Sequence, residues 1–488
     1  MSAKKPLDQK SGGFFVYGAL TLLCTLLYLP GIVLLPPTDR DEARFMQASK
    51  QMIETADYGH IRFQAEPRDK KPIGAHWAQV AAVKLFGQDL TTPWPYRIPS
   101  FIGVVTAVLV TAWSTSRALN PTAGAVAGIV LATTLLTTVE AHLAKADALL
   151  FGASAVVLAG FLRAYTSQTV EPALRYGFWI ALGASVLVKG PILPLVLLLT
   201  LAALFIADKR ISLAPLQPVV GLPLTLLVIL IWPAVVGWDE VMRFGQAAFT
   251  EDLLPKLMSA QETHGGPPGA HTLASIATLW PWSLVLPIAA IAAWRDRASP
   301  VVRVCAAWII PFWLVLELTP TKLPHYVLPV FPAIAMLIAA ALSNWTIKRA
   351  LTVGVGGPIA ALAGVFIVVN TFNLPGWTDL NLARRLSGAV QPYRADHNVV
   401  LVGYAEPSAV FLLGTDTFTT NADHAAQLLT ATPGTVAAIE QADVGNVETS
   451  VTAAGYAFVK LDEVSGYNYS RGRNVNLIIA TARANSLP

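Results

Sequence analysis

Long apolar runs separated by short polar turns fill most of this chain. Runs long enough, or nearly long enough, to cross a bilayer fall at roughly 14–36, 98–117, 122–138, 147–166, 173–188, 190–207, 213–236, 272–294, 300–318, 325–343 and 350–371. A helical span needs about 20 mostly apolar residues. Two of these runs are short and predict tilted or broken helices. Two intervening segments, 37–97 and 237–271, are too long for simple connectors. In the first, Phe45, Ala48, Met52 and Ala56 recur at helical steps of three and four. Ile73–Phe86, with His76, Trp77, Gln79 and Lys84, is too short to span. Both stretches predict amphipathic helices lying at the membrane interface. Segment 237–271 ends in Gly265-Gly266-Pro267-Pro268-Gly269, which regular helix excludes. From about 372 the pattern changes. Val399–Tyr404, Val436–Ile439, Ala457–Leu461 and Val475–Ala480 read as strands, and Ala425–Leu429 and Val447–Ala454 as helices. The expected organisation is a transmembrane domain over 1–371 and a small α/β domain over 372–488.

Composition agrees with the periodicity. Of 488 residues 54% are hydrophobic and 13% charged, against about 25% charged in soluble domains. The fold class is a polytopic α-helical membrane protein of eleven to thirteen helices. Cys24 and Cys305 both lie inside apolar runs, so neither a disulfide nor a thiolate metal cluster is expected. Lys4, Lys5 and Lys10 precede the first run, which is too long for a signal-peptide core and lacks a small-residue cleavage site. An uncleaved first helix with a cytoplasmic N-terminus follows. Alternate turns then carry Arg117; Arg163 and Arg175; Lys209 and Arg210; Arg295, Arg297 and Arg303; and Lys348 and Arg349. Short basic loops mark the cytoplasmic side. They argue against one helix across 173–207, and they put residues 372–488 on the outer face, towards the periplasm or cell exterior.

The same threading brings Asp41, Glu42, Lys71, Asp147, Lys189, His264 and Lys322 out on the outer face. Charge near lipid is costly and marks functional sites. Each residue also has a plainer reading. Asp41-Glu42 suits the positive end of a helix dipole as well as a general base. Lys70-Lys71-Pro72 suits a turn near anionic headgroups as well as a substrate phosphate. Asp147 could cap a helix. Lys189 and Lys322, both at outer turns, could snorkel to headgroups or bind an anionic ligand. His264 and His271 flank the Gly/Pro stretch without a zinc-ligand spacing. No P-loop, dinucleotide motif or short-period repeat is present, and no nucleic-acid partner is expected.

Five segments occur in a familiar order: Asp41-Glu42-Ala43-Arg44-Phe45, Lys71-Pro72, the Asp147 segment Ala144–Leu150, Val188-Lys189-Gly190-Pro191 and Lys322-Leu323-Pro324-His325-Tyr326. Together they resemble the bacterial aminoarabinose lipid A transferase family, relatives of the protein O-mannosyltransferases with the GT-C membrane fold. The resemblance covers roughly 30–345, with a weaker echo at Gly466-Tyr467-Asn468-Tyr469-Ser470. It implies an inverting glycosyltransferase that takes a sugar from polyprenyl phosphate to a lipid A, glycan or protein acceptor on the periplasmic face of a bacterial inner membrane; a membrane-embedded monomer is expected. It assigns Asp41 and Asp147 to catalysis, and Glu42, Arg44, Lys71, Lys189, His264, Lys322, His325 and Tyr326 to substrate binding. In relatives an acidic residue before the Lys-Pro pair can hold zinc with the loop histidine. Lys70 stands there in this chain, so a divalent metal is doubtful and no cofactor is assigned. The rival reading is a transporter or flippase of lipid-linked sugars. Such proteins place charges near the bilayer midplane and carry internal repeats; neither is found here.

Overall fold

The structure, a computed structural model, describes residues 7–87, 89–209, 213–255, 265–343, 381–394 and 399–485. The span expected at 350–371, the 371/372 boundary, His264, Lys4, Lys5, Arg210, Lys348 and Arg349 lie outside them. The chain begins with α1 (Leu7–Leu34), α2 (Asp41–Thr55), a two-stranded hairpin β1 (Arg62–Phe63) and β2 (Glu66–Pro67), and α3 (Gly74–Phe86). There follow α4 (Trp94–Ala118), α5 (Pro121–Ala132), α6 (Leu135–Ala141), α7 (Asp147–Thr166), α8 (Pro172–Lys189), α9 (Ile192–Asp208) and α10 (Pro218–Val236).

Among the described residues, six helices are long and apolar enough to cross a membrane: Phe15–Leu34, α4, α7, α10, Pro300–Leu318 and Pro324–Leu342. Two bent pairs raise this to eight. The run expected at 122–138 is α5 and α6, bent by 62°, and that at 272–294 is Ala270–Thr278 and Trp282–Arg295, bent by 115°. The two breaks satisfy each other. Leu135 donates its N–H to the Trp280 carbonyl at 2.8 Å, and the Trp282 indole donates to Thr133 Oγ1 at 2.8 Å. Irregular backbone at membrane depth persists where protein supplies such partners. The runs at 173–188 and 190–207 are helices too, α8 being less apolar than a span and α9 reaching 17 residues.

Helix contacts near the site rest on small residues. A Cβ on Gly103 of α4 would lie 2.3 Å from the Ala148 carbonyl, and one on Gly152 of α7 would lie 2.7 Å from the Gly103 carbonyl. That close approach sets Arg97, at the head of α4, beside the head of α7. A Cβ on Gly74 would lie 2.8 Å from the Leu187 backbone, so the start of α3 is pressed against the end of α8.

The remaining strands form one sheet of order β4-β3-β5-β7-β6, with β3 (Val399–Val402), β4 (Phe418–Thr420), β5 (Val436–Glu440), β6 (Tyr456–Asn468) and β7 (Arg473–Ala484). β3 pairs parallel with β4 and β5; β7 runs antiparallel to β5 and β6. Val399 and Leu401 pack under helices Leu382–Val390 and Pro407–Leu413. Val400 and Val402 pack under Ala422–Ala431 and Val444–Ala453. A strand covered on both faces reads as a continuous apolar run rather than an alternation.

This layer sits on α2. Gln47 donates to Thr415 Oγ1 at 2.7 Å, Lys50 to the Phe411 carbonyl at 3.0 Å, and Arg40 to the Ser470 carbonyl at 2.6 Å. Three of the four expected apolar positions of α2, Phe45, Ala48 and Met52, are buried, whereas Ala56 is the exposed C-cap. Gln47, Ser49, Lys50 and Gln51 are buried as well. A helix covered on all sides is not a simple interfacial amphipathic helix.

Candidate active site

The heads and tails of these elements bring Asp41, Arg68, Lys71, Lys145, Asp147, Lys189 and His325 to one end of the bundle. Asp41 opens α2, and its side chain is 60% exposed. The protein packed around it would by itself raise its pKa. Arg68, Lys145, Lys71 and His325 outweigh this and hold it below the usual carboxylate value. Asp41 is therefore ionised and open to solvent at neutral pH. Arg68, 9% exposed, places a guanidinium nitrogen 4.0 Å from Asp41.

A stack fixes that arginine. Arg68 lies 5.5 Å from the centre of the Phe45 ring, whose other contact is the His76 ring at 4.9 Å. Ser49 donates its hydroxyl to Gln79 Oε1 at 2.7 Å, so His76 Nδ1, 2.9 Å away, must be the donor to Ser49. Burial, with Arg68 nearby, pushes His76 down to about 3. The imidazole stays neutral and serves as a packing pin.

Asp147, at the head of α7, is held by a direct hydrogen bond from Lys189. Lys145 Nζ stands 3.9 Å from its other oxygen, and His325 Nε2 stands 3.8 Å away. Lys145 also donates to Glu140 Oε1 at 3.0 Å. Burial lowers the Lys145 pKa, but Glu140 and Asp147 outweigh that and raise it, so this buried lysine keeps its charge. The Glu140 Oε2 atom is buried and has no hydrogen-bond partner among the described residues. Tyr326 presents its ring 5.3 Å from the Lys189 ammonium. Four cations thus surround Asp41, Glu140 and Asp147. The positive surplus suits an anionic ligand, with a carboxylate at its open edge.

Two expected site residues have structural partners. Glu42, expected at the substrate, is 1% exposed. Its oxygens accept from Arg97 Nε at 2.8 Å, from the Ala144 N–H at 2.9 Å, and from the Thr38 N–H and hydroxyl. Arg97 in turn donates to the Ile32, Leu35 and Pro36 carbonyls. The pair fastens the end of α1 to α4 and has no acceptor capacity to spare. Lys322, expected at the donor phosphate, donates to the Leu316 and Glu317 carbonyls at 2.7 and 2.6 Å. It closes the C-terminal end of the helix Pro300–Leu318, where carbonyls lack partners. Arg44 is half-buried on the first turns of α2 and forms no ion pair among the described residues. His271 is buried, and its backbone N–H, with those of Gly269 and Thr272, points at Glu317. Arg68, Lys145, Glu140 and Arg97 were not among the expected site residues. Lys145 sits within the segment quoted for Asp147, Arg68 two residues before Lys70-Lys71-Pro72, and Arg97 is a lone charge at the start of an apolar run.

The sheet layer touches the site from above. Asp39 receives the Ser408 N–H at 3.2 Å, while its own N–H donates to the Tyr469 hydroxyl at 2.6 Å. Burial raises the Asp39 pKa to about 6, with Glu406 adding to the rise against the Ser408 hydrogen bond. Because the folded value lies above the ordinary 3.8, the folded protein holds this proton more tightly. Burial of Asp39 favours the docked sheet layer most below about pH 4 and less as pH rises through about 6, even though the Ser408 hydrogen bond itself favours the ionised carboxylate. Hydrogen exchange at Ser408 should therefore quicken between these values, and Asp39→Asn should flatten that dependence. Exchange independent of pH-driven opening in the wild type would contradict it.

Three comparisons bear on this arrangement. Residues 70–236 match the family model for dolichyl-phosphate-mannose-protein mannosyltransferase. The undecaprenyl phosphate-alpha-4-amino-4-deoxy-L-arabinose arabinosyl transferase of Edwardsiella ictaluri is 24% identical over 362 residues, 73% of this chain and 64% of that protein. The corresponding transferase 1 of Pseudomonas fluorescens is 24% identical over 365 residues, 73% of this chain and 60% of that protein. The chain thus spans less than two thirds of the length of these relatives. The crystal structure of ArnT from Cupriavidus metallidurans bound to undecaprenyl phosphate superposes with a TM-score of 0.73 at 17% identity, covering 96% of this chain and 98% of that one. The archaeal oligosaccharyltransferase AglB from Archaeoglobus fulgidus superposes with a TM-score of 0.56 at 12% identity, covering 84% and 65%. The chain is a multi-pass helical membrane protein with the GT-C fold, and it resembles the aminoarabinose lipid A transferases.

Proposed function

We propose that this chain is an inverting glycosyltransferase that moves a sugar from polyprenyl phosphate to lipid A, another envelope glycan or protein. The observation that carries the reading is the set of cations, with Arg68, Lys71 and Lys145 acting on an exposed, ionised Asp41 and Lys189 on the neighbouring Asp147. A sugar phosphodiester has a good leaving group once its charge is neutralised, so no strong general acid is needed. Asp41 takes the proton from the acceptor hydroxyl as its oxygen attacks the anomeric carbon. Lys71, with Arg68 beside it, stabilises the charge that grows on the departing phosphate. Asp147 serves catalysis by holding Lys145 and Lys189 in place, and His325, Tyr326 and Arg44 line the substrate. The relatives named for undecaprenyl-phosphate donors support this assignment.

The proposed topology has eleven spans, a cytoplasmic N-terminus, and residues 372–488 as a periplasmic domain that covers α2. The bundle supports it. Arg117 and Arg163 both pair with Glu171, and Arg303 with Asp208, so turns expected on the inner side meet at the end away from Asp41. In an assay with purified monomeric protein, Lys71→Ala should raise the donor KM roughly tenfold or more, the worth of a charge-assisted contact, with a smaller change in kcat. A donor KM equal to that of the wild type would remove Lys71 from the phosphate.

A further inference from the structure

At the opposite end of the bundle, α9 and the helices Leu286–Arg295 and Pro300–Leu318 leave a cavity of about 680 Å³. Its rim carries Asp208, Arg295, Arg297 and Arg303. Its walls are Ala203, Leu204 and Ala207 from α9, facing Val302, Ala306, Ala307, Ile310 and Pro311. The space exists because small residues face each other there. Charge and shape run in one direction. From Arg303 to Pro311 the wall falls eight residues, about 12 Å at helical rise, and meets no charge after the first.

The rim is unevenly neutralised. Asp208 accepts from Arg303 at one oxygen and from the Tyr165 hydroxyl at the other, so its charge is matched by Arg303. Arg297 donates to the Trp294 carbonyl at 3.1 Å and lies over the Trp294 ring at 5.2 Å. Arg295 forms no ion pair or side-chain hydrogen bond among the described residues, and both it and Arg297 are exposed. Trp294 is 71% exposed, as aromatic residues at a headgroup layer are. Three arginines against one aspartate, above an apolar trough open to the side, complement a molecule with a phosphate at one end and a chain at the other.

We infer that this cavity is a binding site for an anionic phospholipid, its phosphate at Arg295 and Arg297 and an acyl chain along Ala203, Ala306 and Ile310. Neither the proposed donor nor the acceptor is needed at this end. Basic pockets between transmembrane helices on the cytoplasmic side bind such headgroups. The leaflet follows from the topology proposed above; occupancy of the groove does not depend on it.

The test uses the full chain in phosphatidylcholine nanodiscs doped with phosphatidylglycerol, with retained lipid read by native mass spectrometry. The wild type should carry phosphatidylglycerol in preference to phosphatidylcholine. Arg295→Gln with Arg297→Gln should reduce that retention about tenfold or more, and Ala306→Trp should reduce it with no change of charge. Thermal midpoints in pure phosphatidylcholine identify any variant that has lost its fold. Free glycerol phosphate, which lacks the chain, should compete poorly. Equal retention in the wild type and both folded variants overturns the site. So does preference-free binding of the two lipids, or glycerol phosphate binding as well as phosphatidylglycerol.

Discussion

Asp41→Asn should lower turnover by about 10²–10⁴-fold, the contribution of a positioned general base, and leave donor binding close to that of the wild type. The substitution keeps the shape and removes only the proton-accepting charge. Asp41 is suited to the role because its side chain is 60% exposed while the charges around it keep it ionised. Asp147, by contrast, is 7% exposed at its side chain and already engaged by Lys189, so an incoming hydroxyl has little room there. Asp147→Asn should also impair turnover, but through displaced lysines, and should raise the donor KM as well. The two variants are separated by titrating the donor at saturating acceptor. A turnover of Asp41→Asn within a few-fold of the wild type would move the base elsewhere.

Arg97→Leu should be the most damaging substitution to the fold. It leaves the Glu42 carboxylate buried without its cation, at a cost of about 3–5 kcal/mol. It also strips donors from the Ile32, Leu35 and Pro36 carbonyls. Glu42→Gln with Arg97→Leu should recover part of the loss, because a neutral amide is cheaper to bury than an unpaired charge. Yield and thermal midpoint in detergent read both effects. An Arg97→Leu variant as stable as the wild type would deny the pair its structural role. The same pair engages both Glu42 oxygens within the protein.

How far the sequence reached depended on whether its signals were local. Periodicity and loop charge located the helices, since each apolar run and basic turn is contiguous. The bends within 122–138 and 272–294 could not be read that way. They depend on Trp280 and Trp282 meeting Thr133 and Leu135 from far along the chain. Asp41, Lys71, Asp147, Lys189 and His325 lie at one end of the bundle, each standing beside a turn or a proline. Lys322 and Glu42 looked equivalent to them in sequence. Only their three-dimensional partners, helix-end carbonyls and a buried arginine, distinguish a structural ion from a site ion. Lys145 and Arg68 were passed over because neighbours two or three residues away carried the stronger motif. The continuous burial of α2 had a similar cause: its cover is formed by residues near 411 and 469, long after its own segment has been read.

A transferase site at Asp41 requires that the bond between sugar and lipid phosphate is cleaved there. The most direct measurement incubates the full chain in proteoliposomes with a polyprenyl-phosphate-linked sugar and lipid A, and follows both lipids by mass spectrometry. Free polyprenyl phosphate should appear in step with a sugar-bearing acceptor, and Asp41→Asn should stop both. Passage of the intact lipid-linked sugar across the bilayer, with no polyprenyl phosphate released, would contradict it.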